Sequence, residues 1–320
     1  MPFIKREEFL KPNGLSIWLN GGAGSGKTLQ GMTFPKVMMI SFDPTGADVL
    51  RQPENQKYID NLVIHVSLNG IPLQEVFQFT EEPGERGIYA AIALAKKLGP
   101  LGEKRIETVF LDGFNYLATL KWTQICESKG VVWTEKQGMD RKESDQRGWY
   151  DALGSYLDHL VLQNLLPLAT RDRLNVVVSS HVQRESSNTI QGIQVARTPT
   201  QQEQQAQSKR QVNLDSDLSP QVLGSFRQRI AGLPSAMIYL EDRLEQDKDG
   251  KEIVQYYAYC RRTRSESLDT VILAKNRFGL GTLRLTNGNL YKTILAKISN
   301  PVNTAQSKPE SKTATTTTTK

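Results

Sequence analysis

Gly21-Gly22-Ala23-Gly24-Ser25-Gly26-Lys27-Thr28 is the stretch of this sequence most committed to chemistry. Its spacing fits G-x-x-x-x-G-K-[ST]. The glycines let the backbone turn its N–H groups inward, where they can bind phosphate oxygens. Lys27 brings a point charge for the β- and γ-phosphates, and the Thr28 hydroxyl suits a Mg2+ ligand. A helix starting here adds its positive dipole end. The expected cofactors are ATP and Mg2+.

Such a cradle needs a carboxylate on a neighbouring strand for the metal's hydration shell. Val109-Phe110-Leu111-Asp112 fits, with apolar residues running into an Asp at the strand's end. Asp112 is the expected metal-shell residue beside Thr28. The next residue is Gly113, so a water-activating carboxylate has to come from elsewhere. Asp43, in Ile40-Ser41-Phe42-Asp43, is the candidate; an Asp before Pro44 is equally able to start a turn. His181 ends the strand Val178-Ser179-Ser180-His181, where polar side chains meet the ligand crevice of a parallel sheet. It is placed to sense the γ-phosphate or the attacking water. His65 and His159 read as structural.

A second basic feature lies far along the chain. Segment 261–284 carries six cations against two acids, and Ala274-Lys275-Asn276-Arg277-Phe278-Gly279 stands out within it. Strand alternation puts Lys275 and Arg277 on one side, with Asn276 facing away. Two cations on one edge suit the phosphate of a neighbouring subunit's nucleotide. They also suit a solvated edge that discourages aggregation.

The elements that must hold these residues are legible. LSIWLN (15–20), KVMMISF (36–42), LVIHVSL (62–68), IETVFLD (106–112) and LNVVVSS (174–180) read as strands. Near-continuous apolar runs predict burial on both faces, the habit of parallel strands. Helix-length segments at 86–98, 115–128 and 144–165 lie between them, so the fold class is an α/β mainly parallel sheet flanked by helices. A helix over 220–232 and strand-like runs at 235–240, 253–260, 270–274 and 282–285 follow. These last runs predict antiparallel C-terminal strands, with a hairpin turn at 246–252. The expected organisation is a lead-in at 1–14, one domain over 15–295 and a disordered tail at 296–320. Residues 184–218 are polar, Gln-rich and charge-balanced, and they read as a functional loop or an insertion.

Composition excludes several classes. The chain has 320 residues, with 40 Lys+Arg against 34 Asp+Glu and a net charge of +6. That charge permits a nucleic-acid partner without demanding one. Two cysteines, Cys126 and Cys260, make neither a disulfide scaffold nor a zinc cluster. The charged start and the lack of a long apolar run predict a cytoplasmic protein with no membrane partner.

Taken in order, GGAGSGKT, ISFD, VFLD, VVSSH and AKNRFG resemble the RecA-like ATPase core. The nearest likeness is to small phage-encoded RecA-like ATPases linked to single-strand annealing and recombination. Trp149, Leu218-Ser219-Pro220 and Gly224 are similar to that family as well, and AKNRFG is similar to a motif of DnaB-type helicases. The resemblance covers about 12–285. It implies a RecA-like P-loop NTPase fold, with Lys27 and Thr28 on ATP·Mg2+ and Asp112 as the Walker B acid. Asp43 stands where the family usually has a catalytic Glu, one methylene longer. His181 falls at the nucleotide-sensing position, and Lys275 and Arg277 become a trans-acting pair in a homo-oligomer. The implied partners are single-stranded DNA and an annealing protein, a single-strand-binding protein or a helicase. The implied setting is the infected bacterial host cell.

Two alternatives compete with an ATPase acting on DNA. One is a nucleotide-dependent accessory or loader protein with little hydrolysis. The other is a small-molecule phosphotransferase, for which Arg171-Asp172-Arg173 is the lid-like cluster.

Overall fold

The computed structural model describes residues 13–128 except 44 and 104, then 146–184, 217–221, 226, 230, 232–246, 250–265, 270–272, 274–285 and 289–299. Six parallel strands form its centre, in the order β7-β1-β5-β4-β2-β3. They are β1 (Ser16–Gly21), β2 (Val37–Ser41), β3 (Leu62–Ser67), β4 (Thr108–Asp112), β5 (Asn175–Arg184) and β7 (Ala236–Gln246). Beyond β7 the sheet turns antiparallel through β8 (Glu252–Tyr259) and β12 (Thr282–Arg284). β5 separates β1 from β4, so the Asp112 strand is not the immediate neighbour of the glycine-loop strand. The expectation of adjacency fails; Asp112 reaches the loop because both strand ends share one edge of the sheet.

Side-chain alternation divides the core into two layers. Trp18, Met38, Ile40, Val109, Leu111, Val176 and Val178 pack on one face with α2 (Ile88–Leu98), α3 (Phe114–Ser128) and α4 (Gln146–Asp158). Ile17, Leu19, Val37, Met39, Phe110, Val177 and Ile238 pack on the other. That second layer meets α1 (Lys27–Gly31) and α5 (Leu290–Ser299). Consecutive strand residues thus bury in opposite directions, which explains the continuous apolar runs. β3 departs from this pattern. It is the edge strand, its residues alternate between half-buried and exposed, and Val63 is exposed. An edge strand has one neighbour and a partly covered face, so full burial is lost there.

Three segments place the site. α4 continues through a π-helical turn, His159–Leu165, into a last α-turn at Leu166–Thr170. The helix predicted over 144–165 therefore runs longer. The N-terminus of α5 docks on α1: the Leu290 N–H donates to Gln30 Oε1 at 3.0 Å, and the Tyr291 N–H to Thr33 Oγ1 at 3.2 Å. This helix reaches Ser299, past the 296 boundary where composition begins to read as tail. Between β7 and β8 the predicted hairpin forms, with Gln246 opposite Glu252. A small second sheet joins the end of β5 to β6 (Asp217–Pro220), β10 (Thr270–Ile272) and β9 (Thr263–Ser265). Residues 185–216 and 300–320, and most of the helix expected over 220–232, lie outside the described residues; Phe226 and Ile230 are helical and buried. Among the described residues no helix is long and apolar enough to cross a membrane.

Candidate active site

β1 ends at Gly21, and the loop that follows closes around its own lysine. Gly24 and Gly26 have φ of +81° and +80°, a region that L side chains avoid. At Gly26 a Cβ would also stand 2.8 Å from the Tyr256 ring. Both conditions demand glycine at the position that caps α1. Lys27 is buried, and its Nζ donates to the carbonyls of Gly21 (3.0 Å) and Gly22 (2.6 Å). Burial pushes its ammonium down to about 8, against the opposing pull of Asp112, Asp43 and Asp242.

Asp112 lies at the base of the cleft, and each of its carboxylate oxygens has a partner. The Thr28 hydroxyl donates to Oδ2 at 3.0 Å, and the Ser179 hydroxyl donates to Oδ1. Burial raises the Asp112 carboxyl above its ordinary value, while the Ser179 and Thr28 hydrogen bonds and Lys27 oppose this. Thr28 and Asp112, the two residues expected beside Mg2+, therefore stand together at the base of the cleft. Gly113 has φ of +89°, and a Cβ there would sit 3.1 Å from the backbone nitrogen of Asp43 and from the Tyr116 ring. A side chain after Asp112 would crowd Asp43 and Tyr116 and sit in a left-handed backbone that L residues avoid.

Asp43 makes the contacts of a turn residue and also stands in the cleft. Its Oδ1 accepts from the Thr45 N–H (2.9 Å) and hydroxyl (3.2 Å), which is turn chemistry. It also lines the same cleft as Lys27, Thr28, Asp112 and His181. His181 pairs in register with Gly21 and meets the Tyr116 ring edge-on at 6.2 Å. Its backbone N–H donates to Asn115 Oδ1 at 3.3 Å. Burial and then Lys27 lower its pKa, with Asp43 opposing, which favours a neutral ring. The cleft encloses about 330 Å3, and Gly24 and Gly26 of the loop line it beside Ala23. Gly22 has open space where a Cβ would stand, and the Ser25 hydroxyl turns back to the Gly22 carbonyl at 2.9 Å. A glycine-built cradle, a buried lysine and a hydroxyl–carboxylate pair are the donor set that a nucleotide triphosphate and Mg2+ require.

Lys275 and Arg277 do not join this cluster. β11 (Lys275–Asn276) pairs with the start of β7, Lys275 opposite Met237, and the Arg277 N–H donates to Ser235 O at 3.1 Å. Gly21 is level with Leu240. A rise of roughly 3.3 Å per residue puts Ser235 roughly 16 Å short of the glycine loop along the strand. The two cations feel each other, since Arg277, after burial, lowers the pKa of Lys275. Asn276 faces away as expected and builds the turn: its Oδ1 accepts from the N–H groups of Phe278 and Leu280, and its Nδ2 donates to Cys260 O and Leu280 O. Arg171–Arg173 lies just before the start of β5, at the opposite sheet edge from the cleft, so it is no lid.

The sequence reading missed Ser179, Asn115, Tyr116 and Tyr256 as lining residues. Alternation in β5 was a usable signal for Ser179, which shares a face with His181, while Ser180 turns away to Asn20 and Trp18. For Tyr256 there was none, because β8 meets the loop only through the folded sheet.

Residues 13–277 match the family model of an AAA domain, and the chain belongs to that family. Its members are AAA-type P-loop ATPase domains, a class that points to nucleotide binding and hydrolysis. No curated protein matches the chain.

Proposed function

We propose that this chain hydrolyses ATP as a RecA-like, self-assembled ATPase that acts on single-stranded DNA in phage recombination or replication. The observation that carries the hydrolysis is the convergence of Lys27, Thr28, Asp112, Asp43 and His181 on one cleft. Loop N–H groups and Lys27 hold the phosphates, and Leu29, Val49 and Tyr256 offer apolar surface to the base. Thr28 and, through water, Asp112 would hold Mg2+, which would supply positive charge to the phosphates. Asp43 orients the attacking water and accepts its proton as the terminal phosphate leaves ADP. His181, neutral and wedged against Tyr116, senses the γ-phosphate from the strand that continues toward residues 185–216.

Assembly and DNA rest on further support. Lys275 and Arg277 form a cation pair out of reach of their own cleft, as a finger for a neighbour's nucleotide requires. The order of motifs resembles RecA-like proteins that contact single strands just past the His181 position. The partners that fit this reading are an annealing protein, a single-strand-binding protein or a helicase.

The test is phosphate release with and without a single-stranded oligonucleotide, for wild type and for Lys27→Ala. Stimulation by DNA that Lys27→Ala abolishes supports the proposal, and hydrolysis indifferent to DNA removes its DNA half. One observation favours a second reading, an accessory or loader protein with little hydrolysis. Asp43 Oδ1 is already engaged by Thr45, and Gly113 supplies no second carboxylate. Tight ATP binding with negligible turnover, alone or with DNA, would select that reading.

A further inference from the structure

The Ser179 hydroxyl has two partners and a single proton. Gly113 N–H donates to Ser179 Oγ at 2.9 Å, so the hydroxyl must use its own hydrogen elsewhere. It donates that hydrogen to Asp112 Oδ1. Ser179 is 1% exposed and Asp112 4%, so water does not compete for either bond. With Oδ1 occupied, Oδ2 is the oxygen left to face Thr28, and Thr28 Oγ1 is 3.0 Å away. The same hydroxyl also holds the backbone just past the carboxylate, because Gly113 N–H belongs to the residue that follows Asp112.

We infer that Ser179 is a positioning residue for the metal: acting through Asp112, it selects which carboxylate oxygen is offered beside the Thr28 hydroxyl. Its hydroxyl is committed to Gly113 N–H and Asp112 Oδ1, so it acts through the carboxylate. Without its hydroxyl, Asp112 is free to rotate about χ2, and Oδ1 is left buried without a donor. Outer-shell partners of this kind typically change metal affinity by 10–100-fold. The inference rests on the reading of this cleft as a nucleotide–Mg2+ site. Ser180, the next residue, is a built-in control: it is buried too, but it serves Asn20 and Trp18 on the other face of the sheet.

The experiment measures binding of a fluorescent ATP analogue in EDTA and across a Mg2+ titration, with circular dichroism as a check on folding. For Ser179→Ala, the Mg2+ midpoint is expected to rise about tenfold while affinity in EDTA stays within twofold. Ser179→Thr keeps the hydroxyl and is expected to restore the midpoint; Ser180→Ala is expected to leave it alone. Should Ser179→Ala fail to fold, Ser179→Cys keeps the volume with a weaker donor and is expected to shift the midpoint in the same direction. An unchanged Mg2+ midpoint in the folded Ser179 variant overturns the inference. So does an equal loss of affinity in EDTA and in Mg2+, which marks a merely structural role. If the wild type binds no nucleotide, the proposed function and this inference fall together; if it binds with Mg2+ and the variants match it, the inference alone falls.

Discussion

β7 runs between two regions that carry the charged chemistry of this chain, and they are built in opposite ways. Near its middle Leu240 flanks Gly21, beside which Lys27 and Asp112 are buried, Thr28 is half-buried, and both Lys27 and Thr28 find acceptors. At its start Ala236 flanks Asn276, where Lys275 is half-buried and Arg277 exposed, with the Arg277 backbone N–H bonded to Ser235 O. The residues of the glycine-loop edge come together within one chain. On the proposed reading the other edge meets an anion from a neighbouring subunit, whereas as a solvated edge it needs no partner. Burial raises the worth of each interaction in the first region, whereas solvent screens the second until something covers it.

Breaking the second region while sparing the first is the sharpest test of this contrast. Arg277→Ala is expected to lower phosphate release by about 10³-fold with nucleotide binding retained. Mixing it with Lys27→Ala should recover part of the activity, because each variant supplies what the other lacks. Recovery that fails at every ratio would place Arg277 outside catalysis. Within the first region, Asp43→Asn should cost about 10²-fold in kcat with KM nearly unchanged. Asp43→Glu, which restores the methylene, should retain more activity than Asp43→Asn. Equal activity in Asp43→Asn and wild type would leave Asp43 with its turn role alone.

A smaller effect follows from the buried lysine. Lys27 is pushed down to about 8, and phosphate favours its charged form, so nucleotide affinity should hold below that pH and fall as pH rises through it. For folding of the nucleotide-free chain the sign is opposite. Between about 8 and the ordinary 10.5 the unfolded chain holds this proton and the folded chain does not, so Lys27 adds stability as pH rises. Binding titrations and thermal melts at pH 7 and 9.5, each against Lys27→Arg, check both signs. Smallest is Gly113→Ala, expected to cost roughly 1–3 kcal/mol of stability for its left-handed backbone. The change would also push Asp43 outward, and a melt paired with an activity assay separates the two effects.

Much of the glycine-loop edge was legible because its signals are local. The loop's spacing, the apolar run into Asp112 and the polar end of β5 each occupy a few consecutive residues. Asp43 was legible as a position but not as a role, since both turn and catalytic chemistry want the same carboxylate there. The face assignment of Lys275 and Arg277 followed from alternation, although β11 holds only two residues and Asn276 does the folding work. Ser179 sat in plain view beside His181, yet which polar strand residue meets the carboxylate depends on the lateral register of β4 against β5.

By itself the sequence determined the glycine loop with its lysine, the aspartate that ends an apolar strand and the alternation of strands and helices. These depend on residue type and short spacing, which a chain carries whether folded or not. Only the tertiary structure decided that β5 would separate β1 from β4 and that Gly113 would lie close against Asp43. It alone set Tyr256 over Gly26 and kept Lys275 and Arg277 off their own cleft. Those outcomes depend on strand order and register, which are set by how two apolar layers close over one sheet rather than by any local run of residues.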